Sequence, residues 1–270
     1  MTLIAAVEAG HTVTFLLRNT SVFDNDVDVQ QYIKSSKAHL VKGDALVRED
    51  VQKGWEAAAS NSSSGTSVCC EIYLFHLPLN SQKPGGIPKF HVVKGFVISP
   101  PNLVTQSLLN ALSTLPTPRP RIITISSTGL TRTSHAALPL LLKPLYGYLL
   151  ASPHRDKVGA ERVVSHVAGW TWNSKEYGEP VAEVLDVEGQ WRTLDGLPAE
   201  GTLKEDVLVI RPALLTDGEC LAETGKQKYR VSEEELGGWT VSRKDVAHFV
   251  ADASLNRWDE FKGKCVSIAY

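Results

Sequence analysis

No charge of either sign dominates this chain. Its 28 lysines and arginines stand against 30 acidic residues, a formal net charge of -2. No long Lys/Arg block occurs, so it lacks the electrostatic footprint of a nucleic-acid or anionic-membrane binder. Cysteine is scarce: the adjacent Cys69 and Cys70 and the isolated Cys220 and Cys265, with no CxxC and no Cys/His cluster. Nothing in that spacing supports a disulfide framework or a structural zinc site, and reduced thiols in a cytoplasmic protein are expected. His135, His154 and His166 lack ligand spacing with cysteines or carboxylates, so no metal is expected. Long hydrophobic runs are missing as well, which leaves no membrane-span candidate. The opening MTLIAAVEAG is apolar but has no basic flank. Its Leu3, Ile4 and Val7 repeat at helical spacing, so a helix face is expected there rather than a signal peptide.

What is present is an alternation of strands and helices. With 43% hydrophobic and 21% charged residues, the 270-residue chain can bury a substantial core, and a single domain over 1–270 is expected. Thr12 to Leu17 reads as a strand ending at Arg18, and Ala38 to Val41 as a second, followed by Gly43, Asp44 and Ala45. Arg48 to Ala59 has helical spacing, Ser60 to Ser67 is a Ser/Asn/Gly loop, and Cys69 to Leu77 is a continuous apolar strand. Asn102 to Leu115 reads as a helix, Arg121 to Ser126 as a strand closing on Ser127, Thr128 and Gly129, and Leu138 to Leu150 as an apolar helix. After Pro153, HRDKVGAERVVSHV is the next helix, with the proline near its first turn. The segment 170–205 is polar, rich in Gly and Glu and poorly periodic, and is expected to be an irregular excursion or substrate lobe. Asp206 to Arg211 is a strand running into Pro212. Val241 to Ser254 is a helix with Ser242 as N-cap and Asp245 at N3, and Val266 to Ala269 is a last strand. Such a βαβ series gives an α/β fold with a parallel sheet.

The chain opens on a helix tail followed by a strand. In a dinucleotide-binding βαβ unit those elements follow a first strand and a glycine-rich turn whose backbone approaches the cofactor pyrophosphate. Both are lacking here. The missing strand would lie between the strands at Thr12 to Leu17 and Cys69 to Leu77, so its absence is expected to leave two unpaired interior edges. Two readings are open: a start site set too late, with roughly a dozen residues and the glycine turn preceding Met1 in the working protein, or a degenerate or repurposed protein.

The segments RIITISSTGL, HRDKVGAERVV, DVLVIRPALLTDGE and WTVSRKDVAHFVAD, in this order, resemble the atypical short-chain dehydrogenase/reductase group that includes the NmrA-like and flavin/biliverdin reductase type proteins. The resemblance implies a Rossmann-type doubly wound parallel sheet that binds NAD(P)(H), with a small irregular C-terminal substrate lobe. Carried onto matching positions, it places Arg18, supported by Asn19 and Thr20, at the adenosine 2′-phosphate, which a guanidinium suits through its forked, permanent charge. No Asp or Glu occupies the ribose-diol position, so NADP is expected over NAD. An ordinary strand-end arginine is the plain alternative. Asp44 and Ala45 match the loop that passes the adenine ring, though Gly43-Asp44 also reads as a simple turn. Ser126, Ser127 and Thr128 match the strand end that faces nicotinamide and substrate, with Ser127 as the catalytic hydroxyl; turn capping is their alternative. Lys157 matches the lysine that reaches the nicotinamide ribose. Pro212, Ala213 and Leu214 match the segment lying against the carboxamide, or form no more than a proline-terminated strand.

One departure bears on mechanism. The residue four before Lys157, where the superfamily's usual acid is a tyrosine, is Pro153. Tyr146, Tyr148 and His154 are alternative proton donors, and flavin-type relatives manage without the tyrosine. The resemblance thus implies an NADP-dependent oxidoreductase that passes a hydride between nicotinamide and a small, flat or conjugated carbonyl, quinone or flavin-like substrate. A non-catalytic NmrA-like sensor of cofactor state that regulates a protein partner, and a cofactor-free remnant of the fold, are its alternatives.

Overall fold

A computed structural model describes residue 7 and residues 10–61, 69–72, 89–91, 95–186, 188–225 and 228–270. In chain order the elements are β1 (Val13–Leu17), α1 (Val27–Lys34), β2 (Ala38–Lys42), α2 (Arg48–Asn61), β3 (Cys69–Ile72), β4 (Lys89–His91), β5 (Gly95–Val97), α3 (Leu103–Ser113), β6 (Arg121–Ile125), α4 (Arg132–Ala137), α5 (Ala151–Ala168) and α6 (Ser174–Tyr177). There follow β7 (Val207–Pro212), β8 (Leu214–Thr216), α7 (Leu221–Thr224), β9 (Arg230–Ser232), β10 (Thr240–Ser242), α8 (Arg243–Leu255), α9 (Trp258–Phe261) and β11 (Lys264–Ala269). Of the helical spacing expected at Leu3, Ile4 and Val7, Val7 is helical, while Leu3 and Ile4, most of the serine loop, and the end of the strand expected to reach Leu77 lie outside the described residues.

The main sheet has the order β3-β6-β7-β11-β9. Its first four strands are parallel and β9 is antiparallel. Alternation along the strands decides how it is covered. Val207 and Val209 of β7 join a core with Leu108, Leu112, Val163, Val164 and Val167 from α3 and α5. Leu208 and Ile210 join the opposite core with Phe249, Val250 and Phe261 from α8 and α9. Ile122 and Ile123 of β6 divide in the same way. A parallel sheet with helices on both faces is the consequence of that two-residue period in an almost wholly apolar run.

β1 and β2 form a separate parallel pair, with Val13 opposite Ala38. Among the described residues no strand pairs with β1 on the side away from β2, or with β3 on the side away from β6. α2 packs over the pair through Leu16, which meets the Val51 and Trp55 core. Gly43 has to lack a side chain here, since a Cβ would stand 2.7 Å from Leu16 Cδ1 and 2.9 Å from Asp50 Cβ.

Two expectations need correction or qualification. The helix expected over Leu138 to Leu150 is broken into a 3-10 turn at Leu140–Leu142 and a π-helical turn at Leu145–Leu149. Pro139 and Pro144 are the cause, because a proline interrupts the hydrogen-bond ladder and its ring crowds the preceding turn. The segment 170–205 is irregular, holding only α6 and a 3-10 turn at Gln190–Thr193, yet Val184, Leu185, Trp191 and Leu203 are all core residues. Its regularity is absent because its role is to cover α3 and α5 with side chains spaced to no single period. The Ser242 N-cap of α8 is as expected, its hydroxyl accepting from the Asp245 amide at 2.9 Å.

Candidate active site

The carboxyl end of β6 is held to β7 by the buried Ser126, whose amide donates to the Ile210 carbonyl at 2.7 Å. Two residues on, the Thr128 amide and hydroxyl both reach the Pro212 carbonyl, at 3.1 and 3.3 Å, and the Ala213 amide donates to Ile268 of β11 at 3.0 Å. Lys157 arrives from α5 and donates through Nζ to the Ser126 carbonyl at 2.6 Å. Burial lowers its pKa from the ordinary value to about 8, against the upward pull of Glu161 and Asp156. Ser126, Thr128, Lys157, Pro212 and Ala213 are therefore brought together. Ser127, between the first two, is half-buried, and its hydroxyl makes no hydrogen bond among the described residues. Leu214 turns away to pack on the small Leu138 and Leu142 cluster.

A buried ion pair underlies this strand end. The Ser126 hydroxyl donates to the Glu161 carboxylate. Arg211, the last charged residue of β7, grips the same carboxylate through Nε at 3.0 Å and through Nη2. Burial alone would depress the Arg211 guanidinium, but the Glu161 charge beside it outweighs that and holds it cationic. Nη2 also donates to the Tyr177 hydroxyl at 2.8 Å, with the guanidinium 5.3 Å from the Tyr177 ring centre. Because its oxygen accepts from Arg211, the phenol keeps its own proton for another acceptor. Burial raises the Tyr177 pKa, with Arg211 opposing. Trp172 stacks on the ring at 4.2 Å between centroids and fixes its plane.

Tyr177 faces a cavity of about 530 Å³ whose wall includes Gly129, Arg132, His135, Lys143 and Glu176. That is the size of small-molecule sites in general, and it opens where ligands bind in parallel α/β sheets. A second pocket, of about 10 Å³, lies between Ser126, Lys157 and Glu161.

α5 is set by its neighbour in sequence to the lysine. Asp156 is fully buried and accepts from the Val104 and Thr105 amides at 2.7 and 2.9 Å and from the Thr105 hydroxyl at 2.8 Å. It caps the first turn of α3 from another helix. Gly159 lets the helices meet: a Cβ there would stand 2.4 Å from Val184 Cγ1 and 2.6 Å from Thr105 Oγ1.

The residues expected at the adenosine end lie elsewhere, on the β1–β2 pair. Arg18 and Asn19 are exposed beyond β1, and the Asn19 side chain accepts from the Ser21 amide at 3.0 Å, capping the 3-10 turn that Thr20 begins. Asp44 accepts from the Leu46 amide at 3.0 Å, the turn chemistry weighed for it. The Ala45 carbonyl accepts from Asn110 of α3 at 2.9 Å, so α3 links this loop to the Lys157 end. Of the alternative donors, His154 is held as the neutral imidazole, a poor acid, because burial, with Lys157 and His135, drives its pKa down to about 3. Tyr148 is 41% exposed on the π-helical turn.

These residues fit most of a nicotinamide dinucleotide. An ammonium, hydroxyls and strand-end carbonyls suit the ribose and carboxamide end, and an exposed arginine suits a 2′-phosphate. The pyrophosphate turn is the part without a counterpart, since no two glycines stand two positions apart anywhere in the sequence.

Sequence reasoning missed Glu161, Arg211, Tyr177 and Asp156. Two signals were available. An arginine inside the apolar run DVLVIRP has to find a buried partner, and Glu161 lies one helical turn beyond Lys157 on α5. Tyr177 sits in the aperiodic segment and left none.

No family model matches the chain. It is 31% identical over 175 residues to reductase pytE of Aspergillus terreus, an alignment covering 62% of this chain and 56% of that protein. The chain thus spans little more than half the length of that curated relative. Among solved structures it is similar to the anaerobilin reductase ChuY of Escherichia coli O157:H7, with a TM-score of 0.52, 16% identity and coverage of 99% of this chain and 89% of that one. It is also similar to a short-chain dehydrogenase of Burkholderia cenocepacia in complex with NADP, with a TM-score of 0.53, 11% identity and coverage of 99% and 90%. A wide-type short-chain dehydrogenase/reductase of Veillonella parvula, again in complex with NADP, aligns at a TM-score of 0.51 and 10% identity over 96% of this chain and 94% of that one. The likeness is one of fold, and the chain has the short-chain dehydrogenase/reductase fold.

Proposed function

We propose that this protein is an NADP-dependent reductase of a small organic carbonyl, quinone or flavin-like acceptor. The observation that carries the reading is the hydrogen-bonded line Lys157, Ser126, Glu161, Arg211, Tyr177, which runs from the expected nicotinamide end to the wall of the 530 Å³ cavity. Bound NADPH would supply the hydride. Lys157 and Ser127 hold and orient the nicotinamide ribose, and Arg18 takes the 2′-phosphate. Tyr177 holds a proton at its hydroxyl oxygen, and Arg211 stabilises the phenolate left when that proton passes to the reduced acceptor. The NADP complexes of the fold's relatives and the reductase name of the curated relative support this reading.

A sensor that binds the dinucleotide without turnover is the second reading, favoured by the unpartnered edges of β1 and β3 among the described residues and by Pro153 in place of an acid. In either case we place the protein in the cytoplasm, with no nucleic-acid or membrane partner. Among the described residues no helix is long and apolar enough to cross a membrane.

The test is nicotinamide fluorescence titration with NADPH and NADH, followed by cofactor oxidation against a panel of quinones, flavins and aldehydes. The reductase reading expects NADPH binding that Lys157→Ala and Arg18→Ala weaken, and turnover that Tyr177→Phe slows by about 10²–10⁴-fold. Binding without turnover establishes the sensor. No binding of either dinucleotide overturns both.

A further inference from the structure

The cavity beside Tyr177 has a charge pattern that the reductase reading does not use. Arg132, at the start of α4, and Lys143, just after the 3-10 turn, both line the cavity together with His135. Neither cation makes an ion pair by direct contact with another described residue. The wall holds one carboxylate, Glu176, which is already engaged by the Thr133 amide at 3.0 Å and hydroxyl at 2.6 Å. Those two donors keep its pKa low, so it stays ionised and offsets one of the two permanent charges. The surplus is one positive charge, with the His135 ring beside it. Arg211, at the neighbouring strand end, is by contrast engaged by Glu161. Beside the cations the surface is apolar: Leu140 and Leu141, just before Lys143, are each 78% exposed.

We propose that this cavity takes a small organic carboxylate, its charge held by Arg132 and Lys143 and its apolar body turned toward Tyr177. A guanidinium accepts a carboxylate bidentately, and a flexible lysine adds a second charge-assisted contact without demanding a fixed geometry. Unpaired cations facing a concave surface also raise the local concentration of an anion before it docks. The proposal deepens the reductase reading by naming the acceptor's second functional group, and it rests on that reading only for the turnover arm of its test.

The binding arm needs no cofactor. Benzoate and its uncharged counterpart benzamide are titrated into the full chain and followed by protein-observed NMR or calorimetry. Benzoate is expected to bind about tenfold or more tightly than benzamide, with that preference falling as salt rises. Arg132→Gln with Lys143→Gln is expected to erase the preference and to leave the thermal midpoint unchanged, because Arg132 is exposed and Lys143 only half-buried. Should that pair unfold the chain, the single charge reversal Arg132→Glu gives the same readout. In the turnover arm, 4-carboxybenzaldehyde is expected to show a kcat/KM about 10–100-fold above its methyl ester, a gap that the double variant closes by lowering the acid's value alone. Equal affinity for benzoate and benzamide, or a benzoate preference that survives loss of both cations, overturns the proposal. Benzoate preference without any NADPH oxidation sustains the carboxylate site and removes the reductase reading instead.

Discussion

β1 and β7 have similar sequences and different surroundings. VTFLL and VLVIRP are both short apolar strands, but all five residues of β1 are half-buried and all six of β7 are buried. β7 is paired on both sides, by β6 and β11, and roofed by helices on both faces. Among the described residues β1 is paired only with β2. Strand propensity is thus the same in the two places, and what differs is the number of neighbours that convert it into stability. A two-stranded sheet is marginal by itself, whereas a central parallel strand is the most protected part of its fold.

The comparison is broken most forcefully at Arg211. Replacing it by Met strands the Glu161 carboxylate in the core, and a loss of about 3–5 kcal/mol is expected in denaturant unfolding; a loss below about 1 kcal/mol would show that the pair is solvated in practice. Next in size, Leu208→Ala in β7 is expected to cost about 2–5 kcal/mol, while Leu17→Ala in β1 costs about 1 kcal/mol. Equal values would abolish the distinction between the two sheets. Native-state hydrogen exchange should sharpen it further, with β7 amides opening only on global unfolding and β1 amides opening locally at a lower free energy. The smallest expected effect is in pH dependence. Because burial lowers the Lys157 pKa to about 8 from 10.5, the folded state binds fewer protons than the unfolded state between those values, so stability should rise with pH across that window. Lys157→Met should remove that slope, and an unchanged slope would mean that the lysine titrates normally.

How far the sequence could be read follows the same division. The strands and helices that make the doubly wound sheet carry periods long enough to see, and the serine and acid three residues apart at Ser242 and Asp245 announced a helix start. That Asp245 also accepts from the Leu221 and Ala222 amides and from Tyr270 was invisible, since those partners are more than twenty residues away. β8, β9 and β10 have three residues each, too few to show alternation. In the site, residues inherited from the resemblance converged where they lie on β6, α5 and β7. Glu161 and Arg211 escaped because a buried charge declares that it needs a partner without declaring which one, and Tyr177 because its segment has no period to place it.

Asp156 and Lys157 are consecutive residues with unrelated duties, one fastening α5 to α3 and the other meeting the end of β6. The residues lining the large cavity come instead from α4, α6 and the turns around them. Inheritance can therefore act on the two separately. Drift in the cavity wall around Tyr177 would change what is recognised while Lys157 stays where its neighbour pins it, so the shape of the cavity and the placement of the lysine can vary independently.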